Sequence, residues 1–265
     1  MNIVSREFNF LKPFKTSELL RIGNKYDGGY ILPKSVLKDS DGLISFGYGY
    51  DSSFEEDFIH RTDKKVLIFD HTCSYLELFL IFLKYLKRFL LFRKKWRDIN
   101  HHFKKLRSHH KFITSKKVTF LKKRIVSKKN TRQEIEIQNV FDLCSFKKAI
   151  LKCDIEGDEF LVISDILNHK YFIDCIVIEF HHIDLNLEKF KSSVKKILND
   201  YSIVHVHGNN HDPIVQKHNI PSTLEITFIK KNQLKENNYV NTFPIDNLDS
   251  PNNPHLSDIP FKFND

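Results

Sequence analysis

Short apolar runs, each closing on a glycine or a polar cluster, recur along this chain and alternate with stretches of helical period. That alternation predicts a parallel sheet crossed by helices. Leu43, Ile44 and Phe46 run into Gly47 and Gly49, and Ser52, Ser53, Glu55 and Glu56 follow. Residues 43–58 thus read as a buried strand, a glycine turn and a helix start. The run at 66–69 ends on Asp70, and the run at 149–153 ends on Asp154, Glu156, Gly157 and Asp158 ahead of a helix over 159–167. The run at 173–178 leads into Glu179, Phe180, His181 and His182. After a helix over 187–199, the strand at 202–206 ends in His207, Gly208, Asn209 and Asn210. Strands are also expected at 118–126 and 223–229, with 134–140 extended and 141–146 a short helix or turn. Near the start, a helix around 16–20 is expected. Asp27-Gly28-Gly29 then turns into the strand Tyr30-Ile31-Leu32, as a hairpin ahead of the sheet or as a lid over a cofactor pocket.

From Ser74 the period turns helical and unusually apolar. Leu76, Phe79, Leu80, Leu83, Leu86 and Leu90 form a wide apolar face beside a narrow stripe of Glu77, Lys84, Lys87, Arg88, Lys94 and Lys95. Such a face requires a cover, either the protein's own core or an anionic membrane surface.

Charge sharpens that choice. The chain of 265 residues carries +9, yet the segment from Lys84 to Arg132 holds 19 Lys and Arg against one acid, Asp98, so it carries +18 and the remainder −9. Residues 84–132 could therefore contact an anionic membrane peripherally, or grip nucleic acid phosphates through basic residues interleaved with Trp96 and Phe103. The pairs His101-His102 and His109-His110 lack metal-ligand spacing, because adjacent helical residues point apart.

With 41% apolar residues, 265 residues suit one α/β domain over 1–265, with a basic helical insertion at about 74–117 and an irregular tail at about 236–265. The tail's Tyr239, Phe243, Phe261 and Phe263 suggest docking. The four cysteines, Cys73, Cys144, Cys153 and Cys175, show no CxxC spacing, as in a cytoplasmic protein with reduced thiols. Neither a signal peptide nor a spanning helix is expected.

Parallel strands joined by helices bring the polar strand ends to one edge of the sheet. Gly47-x-Gly49 alone also fits an ordinary strand–turn–helix corner. Asp70, 21 residues past Gly49, adds a carboxylate where the ribose hydroxyls of an adenosine-bearing cofactor would be bound. Ser52 stands where a dinucleotide fingerprint would have its third glycine, which favours a mononucleoside-type cofactor.

The Asp-Gly-Gly-Tyr at 27–30, ISFGYGYDSSFE at 44–55, FDHT at 69–72, LKCDIEGDE at 151–159, VIEFH at 177–181, VHGNN at 206–210 and LDSPNNP at 248–254 together resemble the FkbM-type methyltransferases. The resemblance spans about residues 21–259 and is weakest in the basic insertion. It implies a class I, Rossmann-like methyltransferase fold: three layers, with a seven-stranded, mostly parallel sheet whose last strand is antiparallel, here with the basic insertion after strand 2. It implies S-adenosylmethionine as cofactor, bordered by Gly47, Tyr48, Gly49 and His71 with Asp70 on its ribose. Asp154 and Glu156 then match the family's Asp-x-Glu-Gly motif near the acceptor. The implied activity is O-methylation of a saccharide, and a phosphorylated or lipid-linked glycan would suit the basic insertion. A sugar hydroxyl is a poor acid, so His207 or His181 is expected as base, or a divalent cation on Asp154, Glu179 and His181. The alternative is a non-catalytic module on the same fold, binding RNA, anionic glycan or membrane through residues 84–132.

Overall fold

The apolar runs pair into one sheet. The computed structural model describes residues 2–91 and 94–264, and its central strands are β1 Gly42–Phe46, β2 Lys65–Phe69, β3 Val118–Leu121, β4 Ala149–Cys153, β5 Ile173–Phe180, β6 Tyr201–Gly208 and β7 Leu224–Lys230. They lie in the order β3-β2-β1-β4-β5-β7-β6. β7 runs antiparallel to both β5 and β6, and the other pairs are parallel. This is the class I methyltransferase fold expected above, with seven strands and a reversed last strand.

Strand alternation sends side chains to two cores. Ile44, Phe46, Leu151 and Cys153 face a core closed by α5 Ile137–Leu143, α6 Glu159–Asn168 and α7 Leu187–Ile197. Leu43, Ile68, Ile150 and Val177 face the second, closed by α1 Lys34–Asp39, α2 Ser53–Thr62 and Phe112 of α4 Trp96–Ile113. The tail docks on the first core through buried Phe243, Phe261 and Phe263, and the Tyr239 ring packs at a tilt against Phe14, centroids 4.4 Å apart.

Local expectations fail where tertiary pairing overrides period. The helix expected around 16–20 is instead the entry to strand Leu19–Gly23, which pairs with Gly29–Pro33 and buries Ile22 against α2. The third strand stops at Leu121, whose carbonyl accepts the Asp70 amide. Arg124–Val126 then leaves the sheet to pair with Glu134–Glu136, and the following helix is Ile137–Leu143.

The insertion forms two helices, α3 Tyr75–Leu90 and α4, packed on each other. The core does not cover α3: of its residues only Leu78 is buried.

Candidate active site

Register aligns the chemistry. Phe46 is level with Phe69 on β2 and with Cys153 on β4, and Cys153 is level with Ile178 on β5. One residue further, Gly47, Asp70 and Asp154 leave the sheet at its carboxyl edge, in one row with Glu179, which still pairs with Glu225 of β7. Open α/β sheets bind ligands outside that edge. A cavity of about 290 Å³ opens there, lined by Gly47, Gly49, Asp70, Asp154 and Glu156 among others.

The two turn glycines meet different demands. A Cβ on Gly47, at φ +81°, would stand 1.6 Å from the Asp154 carbonyl, so close packing of β1 against the β4 exit requires glycine. A Cβ on Gly49, at φ +56°, would meet nothing within 4 Å, so this backbone borders open space. The hairpin turn closes the other side. Asn24 Nδ2 donates to Asp51 Oδ2 at 2.7 Å and Ser53 Oγ to the Gly28 carbonyl at 3.3 Å. Asp27 and Gly28 thereby line the cavity, so the hairpin forms part of its wall.

Asp70 holds the loops around the cavity together. Its Oδ2 accepts the amides of Tyr48 at 2.8 Å and Gly49 at 2.9 Å, while Oδ1 accepts the Thr72 amide and hydroxyl, both at 2.6 Å, and the Cys73 amide at 3.1 Å. Burial pushes this carboxyl up, but the bonds from Thr72, Gly49 and Tyr48 outweigh burial and hold it at about 2. A carboxylate offers about four acceptor sites, and five donors already surround it. The Thr72 hydroxyl is the one donor outside the backbone, and a ribose hydroxyl could replace it without breaking a backbone bond. The site fits an adenosine-type cofactor on that condition.

An acidic cluster lies beside this clamp. Tyr30 Oη is 2.9 Å from Asp154 Oδ2 and 3.1 Å from Glu179 Oε2, and Asn209 Nδ2 donates to Glu179 Oε1 at 2.7 Å. Burial, with Asp154 and Glu225 nearby, pushes the Glu179 carboxyl well above the carboxylate range. A protonated Glu179 can donate to Tyr30 while Tyr30 donates to Asp154, which satisfies all three groups. His181 Nδ1 bonds Glu159 Oε1 at 3.0 Å, and its Nε2 faces Glu156 and Glu179 at 3.7 Å and Asp154 at 4.0 Å. Burial lowers the His181 pKa, but the Glu159 bond and the surrounding carboxylates outweigh it and raise the group to about 10. Protonated, His181 sits as a cation among these carboxylates, and a metal ion on Nε2 would take the place of the proton there.

Ligand atoms of Asp154, Glu156 and His181 lie within 4.8 Å of one another, and Glu159 orients the imidazole as carboxylates do behind metal-bound histidines. Glu156 thus stands in the converging set where Glu179 was expected, because Glu179 is taken up by Asn209 and Tyr30.

His207 requires a correction. Its Nδ1 bonds Glu225 at 3.2 Å and its Nε2 bonds Asp258 at 3.1 Å, and the ring is 1% exposed. Burial alone would lower its pKa, but the bonds to Asp258 and Glu225 raise it to about 10. No nitrogen is left for a proton, and the ring serves to strap the tail to β6 and β7. Asn210 does the same, donating to the carbonyl of Asn253 at 3.0 Å. Tyr48 is corrected in part. Its backbone lines the cavity, but its ring stacks on Phe112 at 5.7 Å and its hydroxyl bonds His109 Nδ1 at 3.1 Å. His71 is exposed on the cavity wall.

Lys152 is a further residue of the site, beyond those its motifs point to. Its Nζ donates to the Gly47 carbonyl at 2.9 Å, lies 3.5 Å from Asp154 and 4.0 Å from Glu55, and sits over the Tyr30 ring. Burial disfavours its charge, yet Glu55, Asp154 and Glu179 raise its pKa. The signal was a lone lysine inside the apolar strand AILKC. Tyr30 and Glu159 stood within quoted motifs but were assigned no role there.

No family model matches the chain, and no curated protein matches it. Solved structures do. An rRNA methylase from Streptococcus thermophilus is 11% identical, covering 74% of this chain and 90% of its own, at a TM-score of 0.39. The Methanococcus jannaschii fibrillarin pre-rRNA processing protein is 11% identical over 74% of this chain and 68% of its own, at 0.39. The plantazolicin methyltransferase BamL, in complex with a triazolic desmethylPZN analogue and SAH, is 13% identical over 73% of this chain and 78% of its own, at 0.38. At these identities and scores the overlap is partial, and function has to be argued from the site itself.

Proposed function

We propose that this chain is an S-adenosylmethionine-dependent methyltransferase that methylates a hydroxyl of a saccharide or glycan precursor. The observation that carries the reading is the common row of Gly47, Asp70 and Asp154 on one cavity. The FkbM-type motifs support the choice of cofactor and acceptor. When bound, S-adenosylmethionine supplies a sulfonium-activated methyl group, open to in-line attack.

The chain's own residues have three tasks. Gly49 presents open backbone and Asp70 fixes the loop that carries it. Asp154 is oriented by Tyr30 and Lys152 and, with Glu156, presents carboxylate oxygens to the cavity, where they can hold the acceptor hydroxyl and take its proton. His181, clamped by Glu159, keeps these acids close together despite their like charge. A divalent cation on Asp154, Glu156 and His181 would lower the acceptor's pKa, and the convergence of their ligand atoms favours that form of activation.

A transfer assay with methyl-labelled S-adenosylmethionine and a panel of saccharides tests the proposal. Label on a sugar oxygen is expected, with loss in EDTA and recovery on adding a divalent ion. Transfer unaffected by EDTA would leave Asp154 and Glu156 as the proton acceptors. No transfer, with binding to RNA or glycan that needs no cofactor and falls steeply with salt, would favour the non-catalytic module.

A further inference from the structure

The insertion leaves an apolar helix face without a cover. Leu76, Phe79, Leu80, Leu83 and Leu90 of α3 are 62%, 37%, 55%, 40% and 67% exposed. They recur at helical spacing, so they form one outward stripe rather than scattered surface residues. Lys87 interrupts the stripe and Lys84 and Arg88 flank it, all three exposed. Trp96, at the start of α4, packs beside Phe89 at 6.0 Å and is itself 66% exposed.

We propose that this face docks on an anionic lipid bilayer, with α3 lying in the plane of the surface. Charge argues for that occupant. The segment from Lys84 to Arg132 carries +18 and the rest of the chain −9, so a negative surface attracts the segment that includes the end of α3 and all of α4 while the rest of the chain is not attracted. A second copy would bring two such basic segments face to face. A nucleic acid would use the lysines but leave the leucines uncovered, because aliphatic side chains offer bases no stacking face. The apolar stripe with basic flanks is the composition of an interfacial helix. A helix of 16 residues is about 24 Å long, short of the ≈30 Å hydrocarbon core, and among the described residues no helix is long and apolar enough to cross a membrane.

The helix also begins near the cavity, since Thr72, three residues before α3, lines it. Tyr50 Oη accepts the Ser74 amide at 2.8 Å and ties the helix start to the loop after Gly49. A docked α3 would thus hold the cavity mouth near the bilayer, where a lipid-linked acceptor is presented. That consequence rests on the methyl-transfer reading, but the docking itself does not.

Vesicle sedimentation tests the docking on the full chain, using phosphatidylcholine vesicles with and without about 30% phosphatidylglycerol. The wild type is expected to sediment with the anionic vesicles only. L80E/L83E and K84E/K87E/R88E are each expected to bind roughly tenfold more weakly or worse. The substituted positions are exposed, and circular dichroism checks that the variants remain folded. Because Trp96 is the chain's single tryptophan, the unmutated protein supplies a second readout: a blue shift on anionic vesicles and quenching by brominated acyl chains. Failure of the wild type to bind, binding by L80E/L83E equal to wild type, or sedimentation without any change at Trp96 would each overturn the proposal. So would RNA binding shared by wild type and L80E/L83E in the absence of vesicle binding.

Discussion

The Asp70 carboxylate holds the Gly49 amide at 2.9 Å, and through it the turn that follows β1. The same carboxylate ties down Tyr48 on one side and Thr72 and Cys73 on the other. Asp70→Ala would leave four backbone amides without that acceptor and is expected to cost roughly 3 kcal/mol in denaturant unfolding. The Asp70 pKa is depressed in the fold, from an ordinary 3.8 to about 2, so its contribution is full above pH 3.8 and is lost as pH falls through 2. The stability gap between wild type and Asp70→Ala should therefore be constant near neutrality and close below pH 3.8. A gap unchanged down to pH 2 would contradict the clamp.

Thr72 provides a sharper test of how a ribose reaches Asp70. Thr72→Val removes the one hydroxyl that competes for the carboxylate and keeps the Thr72 amide bond. Calorimetry should find S-adenosylmethionine bound at least as tightly as by wild type. Weaker binding would mean that the hydroxyl itself contacts the ligand.

The two turn glycines should separate folding from binding. Gly47→Ala places a methyl 1.6 Å from the Asp154 carbonyl and is expected to prevent stable folding. Gly49→Ala meets no atom within 4 Å, so its cost is confined to the left-handed backbone, about 1–2 kcal/mol. It should fold but bind cofactor at least about tenfold more weakly, because the methyl enters the cavity. Thermal melts and calorimetry on both variants check this contrast.

His207 carries a pH signature of its own. Its folded pKa, about 10, lies above the ordinary 6.5, so the imidazolium stabilises the fold fully below pH 6.5 and the contribution is lost as pH rises toward 10. Against His207→Gln, wild-type stability should be greater by a few kcal/mol at pH 6, and the difference should shrink by pH 10. A difference independent of pH would mean that the ring acts by shape alone.

Much of this was legible in the chain because apolar runs and their polar ends are local features. The strands ending at Phe46, Phe69 and Cys153, and the shared edge of Gly47, Asp70, Asp154 and Glu179, follow from run length and parallel connection, while the strand expected over 173–178 runs on to Phe180 because β7 pairs with it there. What local pattern could not carry is which partner each polar group finds. His207 ends a strand as a catalytic histidine would, but Asp258, 51 residues away, closes over it. Glu156 outranks Glu179 in the converging set only because Asn209 and Tyr30 arrive from distant segments. Leu19–Gly23 is not legible as a strand because its pairing with Gly29–Pro33, not its period, decides its form. Composition alone could not say whether α3 is covered.

The central claim is that the row of Gly47, Asp70 and Asp154 forms a cofactor site, and titration calorimetry of the wild-type protein with S-adenosylmethionine and S-adenosylhomocysteine tests it most directly. Saturable binding of both at one site is expected, at least about tenfold weaker in Gly49→Ala while that variant remains folded. Folded wild-type protein that binds neither compound would contradict the account.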